Sequence, residues 1–238
     1  MLPLFFVDNL SGGDSQLLDK DEAHHAIKVL RVKIGEEIMI SDGSGNWVSG
    51  PIEESGKKTL LIKVSHRGEK ELNKPELVIV QAITKSDRNK EMLELITVAG
   101  IDRIIPWQSD RSISKWQSDS AEKWELTIKE TCKQARRVVM PKLSKSVNSK
   151  QLGEDLSSIP FSIIFHESAS AKFSEVNIPS DIASIYLIIG PEGGITDEEL
   201  LMFKGITSNV VRLGEPVLRS AHAGFAALAA VQTKLGRW

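Results

Sequence analysis

The sequence predicts an α/β protein in which a small N-terminal β-barrel precedes a larger domain built on a parallel sheet. Up to about residue 70, short strands surround a single short helix, a pattern typical of small barrels. From residue 76 onward, continuous apolar strands alternate with helices, as expected when a parallel sheet is covered on both faces. We therefore predict domains at 1–70 and 76–238, with a charged linker over 68–75 that ends in a proline.

The N-terminal elements follow from spacing and turn chemistry. Apolar residues at positions i, i+3, i+4 and i+7 between residues 23 and 30 predict one short amphipathic helix. Strands are predicted over 37–41, 46–50 and 58–64. The first two flank Asp42-Gly-Ser-Gly, a strong hairpin signal because glycine adopts positive φ without a steric penalty.

The C-terminal elements are read from apolar runs and helical periodicity. Buried strands are predicted over 77–81, 103–107, 161–165 and 185–189, and helices over 87–99, 121–137 and 220–235. Gly100 is the expected C-terminal cap of the first of these helices. The alternation of strand and helix is typical of a parallel sheet.

Charge is distributed unevenly along a chain whose net charge is only −2. Between Lys129 and Lys150 there are seven basic residues and one acidic residue, whereas 166–203 contains seven acidic residues and one basic residue. A locally basic face can bind phosphates on a nearly neutral protein, because the field depends on local charge density. A solvated helix face explains the same pattern, and charge alone leaves the choice open.

The cysteine count and the hydropathy exclude several classes of protein. Cys132 is the single cysteine, which excludes an internal disulfide framework and a cysteine-based zinc site, and the histidines lack metal-ligand spacing. We expect no metal. No apolar run approaches the ~20 residues that span a bilayer, and no secretory-type segment opens the chain. We expect a cytoplasmic protein without a membrane partner.

A glycine-rich loop is the strongest chemical signal. The strand that ends at Ile189 runs into Gly190-Pro-Glu-Gly-Gly, and a helix follows with Thr196 as N-cap and Glu199 three residues later, a capping box. Ligands of open parallel sheets bind at the carboxyl ends of strands. Glu192 disfavours a phosphate, whereas S-adenosylmethionine has a ribose and a sulfonium but no phosphate. A plain tight turn without a ligand is the alternative.

A second loop precedes the last helix. The segment Val211–Gly224 places Arg219 where that helix begins, and a cation there opposes the positive end of the helix dipole. This placement is understandable if Arg219 faces an anion, such as a phosphate or a developing uracil anion. The alternative is an ion pair between Arg219 and a neighbouring carboxylate such as Glu215.

These two loops together resemble the RsmE family of the SPOUT superfamily, which methylates N3 of a uridine in small-subunit ribosomal RNA. The resemblance includes five further stretches: His24–Gly35, Lys85–Arg88, Ile104–Pro106, Ser109–Ser112 and Gln134–Pro141. It runs from about Leu4 to Leu235. One departure concerns the start of the last helix, where many members have Thr-Glu-Thr-Ala and this chain has Ser-Ala-His-Ala over 220–223. A catalytic carboxylate at position 221 is therefore in doubt.

The resemblance implies a PUA-like RNA-binding barrel followed by a SPOUT trefoil-knot domain, and a homodimer with its active site at the subunit interface. It implies that three loops bind S-adenosylmethionine, through His166, Glu167, Ile189, Gly190, Pro191, Glu192, Gly193, Gly194, Leu213, Gly214, Val217 and Leu218. The implied partner is ribosomal RNA or the small ribosomal subunit. Arg219 is our candidate for stabilising the uracil anion.

Cationic residues in the resembling stretches and in the basic segment are the candidates for RNA contacts. They are Arg31, Lys85, Arg88, Arg111, Lys133, Arg136 and Arg137. Two other functions are compatible with parts of the sequence. A SPOUT methyltransferase acting on another RNA would share the knot, and a non-catalytic RNA-binding protein would keep the barrel and the basic helix without needing the glycine-rich loop.

Overall fold

Two sheets organise the structure, a computed structural model that describes residues 2–204 and 209–238, except for the side chains of Ser86 and Asp87. The N-terminal sheet consists of β1 (Leu4–Phe6), β2 (Ser15–Asp19), β3 (Glu37–Ser41), β4 (Asn46–Ser55), β5 (Thr59–Lys63) and β6 (His66–Glu69). Its strand order is β1-β3-β4-β5-β2, with β6 paired to β4. Helix α1 (Lys20–His24) continues as a π-helical turn over His25–Val29.

The long strand β4 lies in the middle of the N-terminal sheet and pairs with three other strands. Its first half pairs with β3 and β6, and its second half pairs with β5 after a register shift between Ile52 and Glu54. Such an irregularity bends a strand and lets it pair with different neighbours along its length. The predicted hairpin turn is confirmed, and Gly43 and Gly45 have φ values of 77° and 122°. Apolar side chains from the strands and from the helix form one buried core.

Two N-terminal predictions need correction. The amphipathic helix is present and buries Ala23 and Ala26, but Leu30 is 45% exposed because the helix ends in a π turn and Arg31 takes a φ of 56°. The start of the predicted linker at Gly68 belongs to β6, where the ring of Trp47 packs so closely that a Cβ at Gly68 would lie 2.4 Å from it.

The C-terminal sheet is entirely parallel, as predicted. It contains β7 (Glu76–Ala82), β8 (Arg103–Gln108), β9 (Lys142–Leu143), β10 (Val147–Asn148), β11 (Ser162–Phe165), β12 (Ser184–Ile189) and β13 (Val210–Val211). The order is β10-β8-β7-β12-β11-β13, with β9 beside β8. The described helices are α2 (Ser86–Val98), α3 (Ser120–Ala135), α4 (Ser149–Leu156), α5 (Asp197–Lys204) and α6 (Ser220–Lys234), with a 3-10 turn at Phe173–Glu175.

Helices lie against both faces of this sheet because successive side chains of a strand point to opposite faces. Val80 belongs to a buried cluster that includes Leu152 of α4 and Phe203 of α5. On the other face, helix α6 packs closely against strand β7. A Cβ at Gly224 of α6 would lie 2.9 Å from the side chain of Ile79 in β7. The predicted α/β class, with a small N-terminal β domain, is confirmed; the trefoil knot stays a prediction from the resemblance.

The chain divides into two compact units. One consists of the residues up to Leu72 together with Lys129–Met140, and the other of Asn73–Ile128 together with Pro141–Trp238. The last part of α3 and the segment after it therefore group with the N-terminal sheet, which the sequence did not indicate. The predicted domain bounds, 1–70 and 76–238, stay a prediction.

Candidate functional site

The candidate site lies where three neighbouring strands end. β12, β11 and β13 are adjacent in the sheet and parallel, so the segments that follow Phe165, Ile189 and Val211 leave the same edge. These three segments line one open cleft at that edge, the place where ligands of parallel sheets bind. The cleft is lined by Phe165, His166, Glu167, Ile189, Gly190, Pro191, Gly194, Ile195, Arg212, Leu213, Gly214, Glu215, Pro216, Val217, Leu218, Ser220 and Ala223.

Most of the residues predicted to bind the cofactor line this one cleft. The two that do not line it are Glu192 and Gly193. Glu192 instead accepts a hydrogen bond from the backbone N–H of Lys85, at 3.3 Å, so the carboxylates at the cleft are those of Glu167 and Glu215. The sequence suggested Glu215 only as a possible partner of Arg219, not as a residue of the cofactor site, although it lies between the predicted Gly214 and Val217.

Glycines shape the walls of the cleft. Gly194 has a φ of 73°, which L side chains rarely adopt, and a Cβ there would lie 3.2 Å from an oxygen of Glu167. A Cβ at Gly214 would meet only Pro216, at 3.8 Å, so a side chain at this position would enter open space beside the loop. The backbone at Gly194 and at Gly214 is therefore accessible to a ligand from two walls of the cleft, and the carboxylates of Glu167 and Glu215 line the same cleft. This set suits the ribose, amino group and positive charge of S-adenosylmethionine.

Ser220 connects two of the three loops. Its hydroxyl donates to the carbonyl of Gly190 at 2.5 Å and accepts from Nε2 of Gln81 at 3.1 Å. Ser220 is buried at the first position of α6, so the start of this helix is held against the glycine-rich loop. The second loop thus has a fixed end at the cleft.

Glu199 has a larger role than the predicted cap. The capping box is confirmed, since Glu199 N donates to Thr196 Oγ1 at 3.1 Å and Thr196 N donates to Glu199 Oε2 at 2.9 Å. The other carboxylate oxygen accepts from the backbone N–H of Asp110, at 2.9 Å, and from Ser149 Oγ, at 2.5 Å. Burial, with the negative charge of Glu199, raises the pKa of Asp110. Glu199 therefore fixes the segment after β8 beside the glycine-rich loop.

The same segment brings a cation to the glycine-rich loop. Arg111 donates from its guanidinium to the carbonyl of Gly193 at 2.9 Å, and a Cβ at Gly193 would lie 3.1 Å from Arg111 Cβ. Gly193 therefore makes room for Arg111 rather than for a ligand in the cleft. Two cationic residues that were predicted to contact RNA, Arg111 and Lys85, adjoin this loop.

Comparison with known proteins identifies the family. Residues 70–232 match the model of an RNA methyltransferase domain, and residues 18–65 match that of an RNA methyltransferase PUA domain. A curated relative from Mycobacterium bovis, named ribosomal RNA small subunit methyltransferase E, is 31% identical over 99% of this chain and 93% of its own length. The chain belongs to this family.

Two solved structures agree with the assignment to the methyltransferase E family. A ribosomal RNA small subunit methyltransferase E from Neisseria gonorrhoeae, bound to S-adenosyl methionine, has a TM-score of 0.88 at 26% identity. A Legionella pneumophila methyltransferase in complex with the same cofactor has a TM-score of 0.88 at 25% identity. Each comparison covers 98% of both chains. The resemblance identified from the sequence motifs is confirmed.

At the start of α6, this methyltransferase E chain has Ala221 and His222. The carboxylate of Glu91, on α2, lies next to this helix start. Ala221 is buried, whereas His222 Nε2 lies 3.1 Å from Glu91 Oε1 of α2. This hydrogen bond, together with the positive charges of Arg88 and Arg219, lowers the pKa of Glu91. The carboxylate of Glu91 therefore contacts His222, the residue after position 221, where this chain has alanine and many family members have glutamate.

Arg219 is exposed at the N-cap of α6, and its backbone carbonyl accepts hydrogen bonds from His222 N and Ala223 N. No ion pair between Arg219 and Glu215 is formed in the part of the chain that the structure describes. The guanidinium is thus available beside the cleft. The catalytic assignment of Arg219 stays a prediction.

One of the predicted RNA contacts is opposed by the structure. Lys133 is 4% exposed, and its ammonium contacts Glu130 at 2.9 Å, Glu22 at 3.3 Å and His25 Nδ1 at 2.7 Å. An ammonium held in this buried network cannot contact a phosphate, so we withdraw Lys133 from the RNA-binding set. The sequence placed it in a basic run without indicating which side of α3 is covered.

The other RNA candidates are at least partly exposed. Arg31 is exposed, Arg136 donates to the carbonyl of Lys133 at 2.6 Å, Arg137 is half-buried, and Arg88 forms an ion pair of 3.6 Å with Glu91. The RNA-binding role of these residues stays a prediction.

Within residues 2–204 and 209–238, no group of three His, Cys, Asp or Glu side chains is placed to hold a metal ion. No helix among the same residues has the length and hydropathy required to cross a membrane.

Proposed function

We propose that this protein transfers a methyl group from S-adenosylmethionine to N3 of a specific uridine in small-subunit (16S) ribosomal RNA. The observation that supports the proposal most directly is the cleft at the ends of β11, β12 and β13, which gathers the glycine-rich loop and the loop before α6. A relative that is similar over the whole chain was solved with S-adenosyl methionine bound.

The cofactor would be held by the residues of the three loops. Backbone groups around Gly190 and Gly194 and around Gly214 would contact the adenosine, and the carboxylates of Glu167 and Glu215 would pair with hydroxyl or amino groups. When bound, S-adenosylmethionine supplies a methyl group on a positively charged sulfur, and transfer returns the electron pair of the carbon–sulfur bond to sulfur. His166 would complete the wall of the site.

Uracil N3 carries a proton that must leave before N3 can attack the methyl carbon. The remaining negative charge spreads over the ring, and an enzyme accelerates such a step by placing a preorganised positive charge near it. Arg219 is our candidate for this role, and its exposure at the start of α6, next in sequence to cleft residues 218 and 220, supports the choice. We propose electrostatic stabilisation by Arg219, without assigning the proton acceptor.

The substrate, the assembly and the cellular location are part of the proposal. Ribosomal RNA, or the small ribosomal subunit, would contact the PUA-like domain and the cationic residues Arg31, Lys85, Arg88, Arg111, Arg136 and Arg137. A homodimer would complete each active site with residues of the second subunit. The reaction would take place in the cytoplasm.

A cellular experiment tests the position of methylation. Ribosomal RNA from cells with and without the gene is digested and mapped for 3-methyluridine by mass spectrometry, and the purified protein is then tested on RNA from the deficient cells. We expect one uridine of the small-subunit RNA to lose its methyl group and to regain it in vitro. A methyl group missing instead from a transfer RNA, or from a ribose hydroxyl, would contradict the proposed substrate but not the methyltransferase activity.

A non-catalytic RNA-binding role is the second candidate. It predicts RNA binding without cofactor binding, so titration calorimetry with S-adenosylmethionine distinguishes the two. The cleft favours the enzyme, because an RNA-binding protein has no need of three loops that converge on one site with exposed backbone and two carboxylates. Absence of any heat of binding with a folded protein would favour the second candidate.

A further inference from the structure

A second open depression is lined by the loop that precedes α6. It shares the stretch Arg212–Glu215 with the cofactor cleft, so the same four residues line both spaces. Its remaining wall is formed by the 3-10 turn at Phe173–Glu175 and by the C-terminal part of α6. We call this space the basic groove because three cationic side chains line it: Lys172, Arg212 and Lys234.

The three cations come from separate parts of the chain and are positioned by backbone and ring contacts. Phe173 N donates to the carbonyl of Arg212 at 2.9 Å, which aligns the stretch containing Lys172 beside Arg212. Lys234 Nζ lies 5.4 Å from the centre of the Phe173 ring and donates to the carbonyl of Ser174 at 3.0 Å. A cation over a buried ring is held in place without being neutralised.

Few negative charges oppose these cations. Glu215 is the single carboxylate among the residues that line the basic groove, and Glu175 lies next to it and accepts from the backbone N–H of Lys172 at 3.3 Å. Within residues 2–204 and 209–238, no ion pair or side-chain hydrogen bond neutralises Arg212. A guanidinium that lines two open depressions without an ion-pair partner keeps its donors available to an anion.

We propose that the basic groove binds the phosphodiester backbone of the substrate RNA next to the reacting uridine. This proposal rests on the proposed function, because a base that enters the cofactor cleft leaves its flanking phosphates outside the cleft. The groove adjoins the cleft through Arg212–Glu215, so a strand that leaves the cleft would continue along the groove past Arg212 and Lys172 toward Lys234. Phosphate contacts position a nucleic acid without reading its sequence. The groove therefore contributes affinity and register rather than base selection.

The test removes two charges while keeping the side-chain stems. Lys172→Gln combined with Lys234→Gln retains a donor for the carbonyl of Ser174 and leaves the cofactor cleft intact. The matched control, Lys115→Gln combined with Lys123→Gln, removes the same net charge from two exposed lysines of the C-terminal unit that lie outside the basic segment. A methyl-deficient small-subunit RNA fragment is the probe, with binding measured between 50 mM and 200 mM salt.

We expect the groove variant to bind RNA more weakly and to reduce the slope of log K against log salt. On a single strand the reduction is about 0.7 for each phosphate that the protein no longer neutralises, hence about 1.4 for two phosphates. KM for RNA should rise, kcat at saturating RNA should stay within twofold, and S-adenosylmethionine affinity should not change. The control variant should keep the wild-type slope.

The outcomes separate the two proposals. If the wild-type protein methylates the RNA and the groove variant has the same slope and KM as the control variant, the basic groove is overturned and the proposed function stands. If the wild-type protein binds no RNA and transfers no methyl group, the proposed function fails and the groove proposal falls with it. If the groove variant loses affinity for S-adenosylmethionine, the two lysines support the structure of the cofactor cleft. That result would contradict the proposal that the basic groove is a separate phosphate site. Lys172→Arg with Lys234→Arg should restore the wild-type slope.

Discussion

Among single residues, Arg219 carries the sharpest chemical prediction. Its guanidinium is exposed at the N-cap of α6, where the helix dipole disfavours a cation, and among the described residues it forms no ion pair, although its charge acts on Glu91. We expect Arg219→Ala to lower single-turnover methylation by ~10²–10³-fold, because it removes one preorganised charge from the transition state. The measurement is made with saturating RNA and cofactor.

A conservative variant and a binding measurement accompany this experiment. Arg219→Lys should restore the rate only partly, because an ammonium cannot reproduce the planar guanidinium. Calorimetry on both variants should give wild-type affinity for S-adenosylmethionine. A near-normal rate in Arg219→Ala would leave the residue without a catalytic role.

Glycine at the cleft carries a second prediction about a single residue. The resemblance placed both Gly193 and Gly194 at the cofactor, but Gly193 packs against Arg111, whereas Gly194 lines the cleft. We expect Gly194→Val to abolish S-adenosylmethionine binding, because its φ of 73° is strained for a β-branched residue and its Cβ would lie 3.2 Å from Glu167.

Calorimetry is the measurement for Gly194→Val, on a variant whose circular dichroism matches the wild type. Gly12→Val is a suitable control, since a Cβ at Gly12 would meet nothing within 4 Å. Unchanged cofactor affinity in Gly194→Val would show that the cleft is not the cofactor site.

Among the secondary-structure elements, the end of α3 is held by charges. The buried ammonium of Lys133 lies between Glu22 of α1 and Glu130 of its own helix, and Lys129 adds a second contact of 2.9 Å to Glu22. We expect Lys133→Ala to lower the free energy of unfolding by about 1–3 kcal/mol, because partners buried with it lose a charged hydrogen bond. Urea denaturation measures the change.

This prediction separates a structural role from RNA binding. Lys133→Met keeps most of the apolar stem, so the difference between Met and Ala reports packing and the effect common to both variants reports charge. The salt dependence of RNA binding should be the same in the wild type and in either variant. A smaller salt slope with unchanged stability would restore Lys133 to the RNA-binding set.

For the protein as a complete assembly, the proposed dimer is open to a direct measurement. Two apolar residues at the cleft, Val217 and Leu218, are 76% and 41% exposed. Apolar side chains exposed beside a ligand site are typical of a surface that a partner or a substrate covers. We expect light scattering to give twice the chain mass of 26.3 kDa at the concentrations used for methyl transfer. A fully active protein at the monomer mass would show that one chain holds the complete site.

Local sequence patterns were sufficient to identify the class of the fold and the family. Short continuous apolar runs are typical of strands in a sheet covered on both faces, so β7, β8, β11 and β12 were predictable from the local sequence. The capping box at Thr196 and Glu199 and the cap at Gly100 depend on residues close in sequence, and both are found. Two loops that each follow a strand, with their ordered motifs, were enough to identify the family.

The tertiary structure determines which of these strands, loops and helix faces come into contact. The spatial order of β12, β11 and β13 puts three loops around one cleft, and no local pattern contains strand order. Periodicity also does not say which partner covers a helix face, so the burial of Lys133 could not be read from its basic run. In the same way, Lys172 is the one cation of an acidic stretch and becomes part of a basic groove only through Arg212 and Lys234. Contacts between residues far apart in sequence depend on register and side-chain direction, which are fixed only when the chain packs.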